Sequence, residues 1–311
     1  KAGCGFPSAR VCACFSLETG HALSYQVGNK KSHELRLLRK QHSTFKSGDI
    51  FLGDKGFCSY YDMAVLLDKG VDSLVTLARR TPVPEADSIR KLGNGDLLIS
   101  WKKPVWNKRL AYSYEEWKLL PEKLVLRQIK VNVTQPGFRV KSFYMVTTLV
   151  DDAAYPADEL AELYYRRWEV ELNFRDLKTT MGMDVLRCKN PAMIRKEIRM
   201  HFIVYNAIRH LIYEAAEEYS ADPRRIGFKG ALQSLRHWEP QLNQARLSRK
   251  ERFRLISCLY DAIYQNQVPD RPGRREPRCL KRRLKPYQLL TEHRHTMKEI
   301  EHRSKYRAEG A

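Results

Sequence analysis

The stretch Glu159 to Lys178 reads ELAELYYRRWEVELNFRDLK, and the fold turns on it. It contains no Pro or Gly and is dense in strong helix formers, so the sequence predicts one long helix over 159–178. At about 100° per residue, Tyr164, Arg167, Glu171 and Lys178 fall within an arc of roughly 60°. Leu163, Val170, Phe174 and Leu177 gather on the adjacent arc, the face a core takes. A carboxylate is thereby flanked by Arg and Lys, with a Tyr hydroxyl one turn further up. Such a surface suits one divalent cation and a phosphodiester backbone. Ordinary surface helices with i,i+4 ion pairs carry similar charge patterns, so spacing by itself leaves both readings open.

The order Tyr-x2-Arg-x3-Glu-x6-Lys favours the first. It resembles the Tyr-Arg-Glu-Lys signature of the insertion-sequence-four family of cut-and-paste DNA transposases. All four positions match, as Tyr164, Arg167, Glu171 and Lys178, and Trp168, Phe174, Leu177 and Gly182 also look like the family. Earlier in the chain, strand–Gly-Asp-Lys-Gly-Phe–helix around Asp54 is similar to the family's second catalytic-aspartate motif. Phe6-Pro7, Ala9-Arg10, Ser16-Leu17 and Thr19-Gly20 resemble the strand pair that precedes it. The resemblance runs from about residue 5 to about residue 290.

Composition agrees with a polyanionic partner. The 311 residues carry 56 Lys and Arg against 36 Asp and Glu, a net charge of +20, which favours nucleic acid or an anionic membrane surface. No apolar run approaches a membrane span, and no lipidation motif or signal peptide is visible, so nucleic acid is the better reading and no membrane is expected. Seven cysteines stand at 4, 12, 14, 58, 188, 258 and 279. Cys12-x-Cys14 is too tight for a zinc knuckle and alternates with Val11 and Ala13 in a strand-like run. Buried thiols in a reducing cytoplasm are expected, with no zinc and no disulfide.

Along the chain, 10–17 and 21–27 read as a hairpin turning at Glu18-Thr19-Gly20. Ser32 is placed to cap a helix from about His33 to His42. A short strand then ends at Asp54, which Gly53 and Gly56 flank, leaving the backbone free to turn and expose the carboxylate. Taken alone, Asp54 reads as an ordinary turn aspartate; the Glu171 helix downstream, in the family's order, makes it a catalytic candidate. A helix at 60–69 and a strand at 73–78 follow. Residues 79–141 read as a mainly β insertion, with Pro82 and Pro84 at its start and turns at Asn94-Gly95-Asp96 and Pro136-Gly137. Trp101, Trp106 and Trp117 in it suit core or rim, or stacking on a flipped base; the first is favoured. The apolar strand 142–152 leads to the signature helix, and Asp151 and Asp152 are read with the start of that helix rather than as metal ligands. A core helix near 191–217 carries Ile194, Ile198, Phe202, Tyr205, Ile208 and Ile212 inward, with Arg195, Lys196, Arg199 and Arg209 on outer faces. Two more helices cover 229–240 and 248–266. Residues 269–285 hold eight Arg and Lys among four Pro and Gly, an extended basic arm suited to tracking phosphates and similar to the C-terminal part of the family.

What the resemblance implies is specific. The fold class is α/β, a ribonuclease-H-like (retroviral-integrase-like) core with a β-rich insertion and a helical C-terminal region. The expected domains are 1–78 and 142–217 as the two parts of the core, 79–141 as the insertion and 218–311 as the helical region. The activity is metal-dependent hydrolysis and strand transfer at transposon ends. Asp54 and Glu171 are the catalytic and metal-ligating residues of a two-metal Mg²⁺ (or Mn²⁺) site. Tyr164, Arg167 and Lys178, with Trp168, Arg175 and Lys55, contact DNA. The partners are terminal inverted repeats and target DNA, engaged by a homodimer in a synaptic complex. The setting is the bacterial cytoplasm, at the nucleoid. The family also uses an aspartate on the first core strand. Its place lies just before Phe6-Pro7, so the chain is expected to lack that strand and aspartate, to bind DNA, and to cut poorly. Two rivals stay open: a non-enzymatic basic DNA-binding protein, and a ribonuclease-H-like nuclease without transposition.

Overall fold

A computed structural model describes residues 9–29, 31–77, 83, 86–107, 112–132, 142–269 and 296. The expected turn at Pro136-Gly137, the motif Phe6-Pro7, Pro82, Pro84, Cys4, Cys279 and the basic arm beyond Pro269 lie outside the described residues.

The protein is mixed α/β with a helical C-terminal region. Strands β1 (Ala9–Phe15) and β2 (Ala22–Asn29) form the expected antiparallel hairpin as a separate two-stranded sheet. A six-stranded sheet holds β3 (Ile50–Gly53), β4 (Asp72–Thr76), β5 (Ala86–Gly93), β6 (Asp96–Lys102), β7 (Lys123–Asn132) and β8 (Ser142–Thr147), in the order β3-β4-β8-β7-β6-β5. Only β3 and β4 pair in parallel; every other neighbour is antiparallel. The strands of 79–141 therefore hydrogen-bond into the same sheet as β3 and β4 through β8. The alternation of strand side chains gives this sheet two dressed faces. Val75, Leu124, Leu126 and Val146 pack with α1 (Glu34–Arg39) and α2 (Tyr60–Asp68), while Leu74, Ile129, Val131 and Met145 pack with α4 (Ala157–Tyr165). Helix α3 (Tyr114–Lys118), started by a Ser113–Glu116 capping box, packs Trp117 against the α1 and α2 side.

Three expectations need correction. His33, not Ser32, caps α1: its Nδ1 accepts the Leu35 amide, and the helix stops at Arg39. The signature stretch is not one uninterrupted helix. After α4 the chain tightens at Arg166–Arg167, where the amides of Arg167, Glu169 and Val170 reach back three residues rather than four. It resumes as α5 (Trp168–Arg175) and then widens into a π-turn over Asp176–Thr180, closed by the Met181 amide on the Asp176 carbonyl at 2.9 Å. The tight turn is held from outside by Arg166, whose Nη2 donates to the Leu17 carbonyl at 2.7 Å. In the wide turn two consecutive residues, Asp176 and Leu177, are both buried. Finally, Arg209 is no outer-face residue; it is buried, for the reason given below.

The helical region is built on α6 (Pro191–Glu218), with α7 (Phe228–Leu242) and α8 (Arg249–Tyr264) packed against it. Ile198, Phe202, Tyr205, Ile208 and Ile212 point inward as their spacing requires. The hairpin lies between the two regions. Cys12 and Cys14 face the sheet's core, while Val11, Ala13 and Phe15 face α6. Burial pushes the Cys12 thiol up to about 11, and those of Cys14 and Cys58 to about 12, so these thiols stay protonated and unreactive at neutral pH. Trp101 packs edge-on to Tyr60, and Trp106 and Trp117 rest against the same core, as the favoured reading of the tryptophans expects. No helix among the described residues is long and apolar enough to cross a membrane.

Candidate active site

Parallel strands β3 and β4 end side by side, Gly53 opposite Val75. A side chain on Gly53 would meet Phe57 Cβ at 2.9 Å and Val75 Cγ1 at 3.1 Å, so glycine lets the chain fold back tightly here. Asp54 comes next and is exposed. Its Oδ1 accepts the Gly56 amide at 2.7 Å and its carbonyl accepts the Phe57 amide at 2.9 Å. This Asx turn leads to α2, capped by Ser59. The turn fixes one carboxylate oxygen and leaves Oδ2 without a hydrogen bond among the described residues. Lys55 is exposed beside it.

From the end of β4, Thr76 Oγ1 shares a hydrogen bond of 2.9 Å with the Tyr164 hydroxyl. Tyr164 is only 9% exposed and belongs to the core face of α4 with Leu160 and Ala161. Burial pushes its phenol up, against lowering by Thr76 and Arg167, and Asp54 adds a raising contribution. The Asp54 carboxylate thus lies within electrostatic reach of this hydroxyl. The Arg167 guanidinium sits 5.8 Å from the Tyr164 ring centre, and its Nη2 donates to Glu171 Oε1 at 3.3 Å. Thr76, Tyr164, Arg167 and Glu171 therefore form one line of contacts starting where the two parallel strands end. Tyr164→Phe should cost about 0.5–1.5 kcal/mol of stability, the net worth of one such bond, read by thermal denaturation against wild type; an unchanged midpoint would remove Tyr164 from that line.

Arg167 Nε is buried and has no hydrogen-bond partner among the described residues. Trp168 is 52% exposed and Tyr165 45%, two aromatic side chains open to solvent next to Arg167 in the chain. Lys178 is exposed on the π-turn, its Nζ 5.3 Å from the Phe174 ring centre. Arg175 is also exposed, 3.8 Å from Asp176. Among the described residues no group of three or more His, Cys, Asp or Glu is gathered to hold a metal ion. The donors on offer are the oxygens of Asp54 and Glu171. Oxygen donors of this type are the kind that Mg²⁺ or Mn²⁺ takes, alongside waters and substrate phosphates.

Sequence reasoning missed what supports these residues. Arg209, on α6, donates through Nη2 to Asp176 Oδ2 at 3.0 Å and Asn173 Oδ1 at 2.8 Å, and through Nε to the Tyr205 hydroxyl at 3.0 Å. Tyr205 in turn donates to the Gly20 carbonyl of the hairpin at 2.7 Å. The available signal was Arg209 standing four residues after Tyr205 on the inward face.

Two comparisons bear on this geometry. The family model described as the transposase DDE domain matches residues 1–207. Over 290 residues the chain is 26% identical to Transposase InsG for insertion sequence element IS4 of Escherichia coli K12, covering 89% of this chain and 60% of that relative. It is 37% identical over 51 residues to the Transposase for insertion sequence element IS421 of Escherichia coli, covering 16% of this chain and 14% of that protein. The chain thus spans about 60% of the length of the first of these relatives.

Proposed function

Because this chain belongs to the transposase DDE domain family, we propose that it acts on DNA as a cut-and-paste transposase, with Asp54 and Glu171 as its metal-ligating catalytic carboxylates. The observation that carries the reading is the line of contacts from the ends of β3 and β4 through Thr76, Tyr164 and Arg167 to Glu171. It ties a carboxylate on the signature helix to the sheet edge that presents Asp54.

Each side chain has a task in this reading. Asp54 and Glu171 hold Mg²⁺ or Mn²⁺, as one ion or a two-metal pair. Such ions polarise a phosphodiester and activate the attacking oxygen. Arg167 orients Glu171 through Nη2, and its guanidinium supplies positive charge for a phosphate, a charge-assisted interaction. Lys178 and Lys55 are point charges for the DNA backbone, Arg175 a fork for the next phosphates, and Trp168 a face for a base. Tyr164, with its hydroxyl on Thr76, acts from beneath by seating Arg167. The same proposal takes the core as ribonuclease-H-like, divided at 1–78, 79–141, 142–217 and 218–311. It takes the working species as a homodimer at the nucleoid, bridging terminal repeats and target DNA.

Mn²⁺ binding, followed by loss of the free-ion electron paramagnetic resonance signal, tests the carboxylates. Asp54→Ala and Glu171→Ala should each weaken it at least about tenfold, since even outer-shell partners are worth 10–100-fold. Salt-dependent duplex affinity should persist in both. Unchanged Mn²⁺ binding would leave the rival reading, a basic DNA-binding protein with idle carboxylates.

A further inference from the structure

Next to the signature helix lies a cleft of about 440 Å³ between the π-turn and the start of α7. Three cationic side chains from two elements line it: Arg175 before the turn, and Lys229 and Arg236 on α7. Lys229 and Arg236 are exposed and make no ion pair among the described residues. The carboxylate in the wall, Asp176, is buried and turned to Arg209 at 3.0 Å. Asp176 also lies 3.8 Å from Arg175, so Lys229 and Arg236 are the two cleft cations left without a counter-charge among the described residues.

The backbone adds donors to the same space. Gly227 caps α7 with no side-chain bond, and its own amide is taken by the Asn266 carbonyl at 2.8 Å. The first intrahelical bond is Ala231 to Gly227, so the amides of Phe228, Lys229 and Gly230 have no acceptor among the described residues. Asn266 holds this end in place: a Cβ on Gly230 would lie 2.2 Å from Asn266 Oδ1, so glycine is kept there despite its cost within a helix. Thr179 and Thr180 bring hydroxyls from the facing turn. Cations and amides in one recess favour an anion of phosphate type.

We propose that this cleft is a second phosphodiester-binding subsite, seating the backbone of the DNA strand that runs past Glu171; the inference rests on the DNA reading above. Thr179 lies eight residues beyond Glu171, or about 12 Å at ~1.5 Å per residue. With about 3.4 Å per nucleotide along one strand, the subsite engages a phosphate three to four nucleotides from the metal-ligating carboxylates. It positions DNA and reads no sequence.

The test is the salt dependence of duplex binding by the full chain, with Lys229→Ala/Arg236→Ala compared against Lys123→Ala/Lys130→Ala, an equal loss of charge from exposed β7 positions. The cleft variant should lower the slope of log K against log salt by about 0.9, the share of the one phosphate seated there, and do so equally on duplexes of different sequence. The β7 variant should leave the slope unchanged. A wild-type slope kept by the cleft variant, or the same fall in both variants, overturns the subsite while the DNA reading stands. If wild type binds no duplex at all, the DNA reading falls and the subsite with it. Saturation of the cleft by inorganic phosphate without any change in DNA slope would also overturn it, identifying a free-phosphate site instead.

Discussion

Arg209→Ala is expected to remove about 3–5 kcal/mol from the free energy of unfolding, the usual cost of stranding one partner of a buried ion pair. Arg209 is 8% exposed and Asp176 5%, so neither charge is stabilised by water once the other is gone. The Asn173 amide oxygen and the Tyr205 hydroxyl would lose their donor in the same step. Chemical denaturation measures this directly. Arg209→Met combined with Asp176→Leu should recover most of the loss, because replacing both charges by apolar groups of similar size is often neutral. Asp176 opens the π-turn that carries Lys178, so the single variant should also bind duplex DNA more weakly than its own residual stability accounts for. A loss below about 1 kcal/mol would show that the pair is peripheral to folding.

Asp62→Ala, on α2, should cost a similar amount, about 3–5 kcal/mol. The carboxylate is 1% exposed, receives Arg39 Nε and Nη2 at 2.9 Å each, and has His42 Nε2 at 3.3 Å. Arg39 is itself stacked near two rings, 4.5 Å from the Tyr61 centre and 5.0 Å from Tyr112. Burial pushes the Asp62 carboxyl up, but the nearby His42 imidazole and the Arg39 hydrogen bonds outweigh it and hold the group below its ordinary value. A depressed carboxyl contributes stability that is complete above its unfolded pKa of about 3.9 and is lost as pH falls through the lower folded value. Wild type should therefore lose stability on acidification below about pH 4, and Asp62→Asn should flatten that part of the profile. Parallel acid profiles for the two proteins would remove Asp62 as the cause.

Much of this organisation can be read before any coordinates. The hairpin, the strand ending at Asp54, the parallel strand after it and the three C-terminal helices follow from turn residues and from periods of two or 3.6. The four signature residues share one arc by spacing, and the resemblance to the family is what singles them out. What escapes is set by partners distant in sequence. The tight turn at Arg166 depends on Leu17, 149 positions earlier. Arg209 falls on the inward arc of α6 by angle, but a charge there looks out of place until Asp176, 33 positions earlier, is set beside it. Tyr164 falls on the polar arc by angle, yet its ring is large enough to join the core while its hydroxyl is satisfied by Thr76. Strand β5 is largely exposed and polar and helix α3 is only five residues long, and neither leaves a periodic trace.

The hairpin has one more consequence. Its two faces belong to different cores, Cys12 and Cys14 to one, Val11, Ala13 and Phe15 to the other. Neither core is closed without that ribbon, so the sheet and the helical bundle cannot melt independently. Heat should take both down in a single cooperative transition, with calorimetric and van't Hoff enthalpies in agreement.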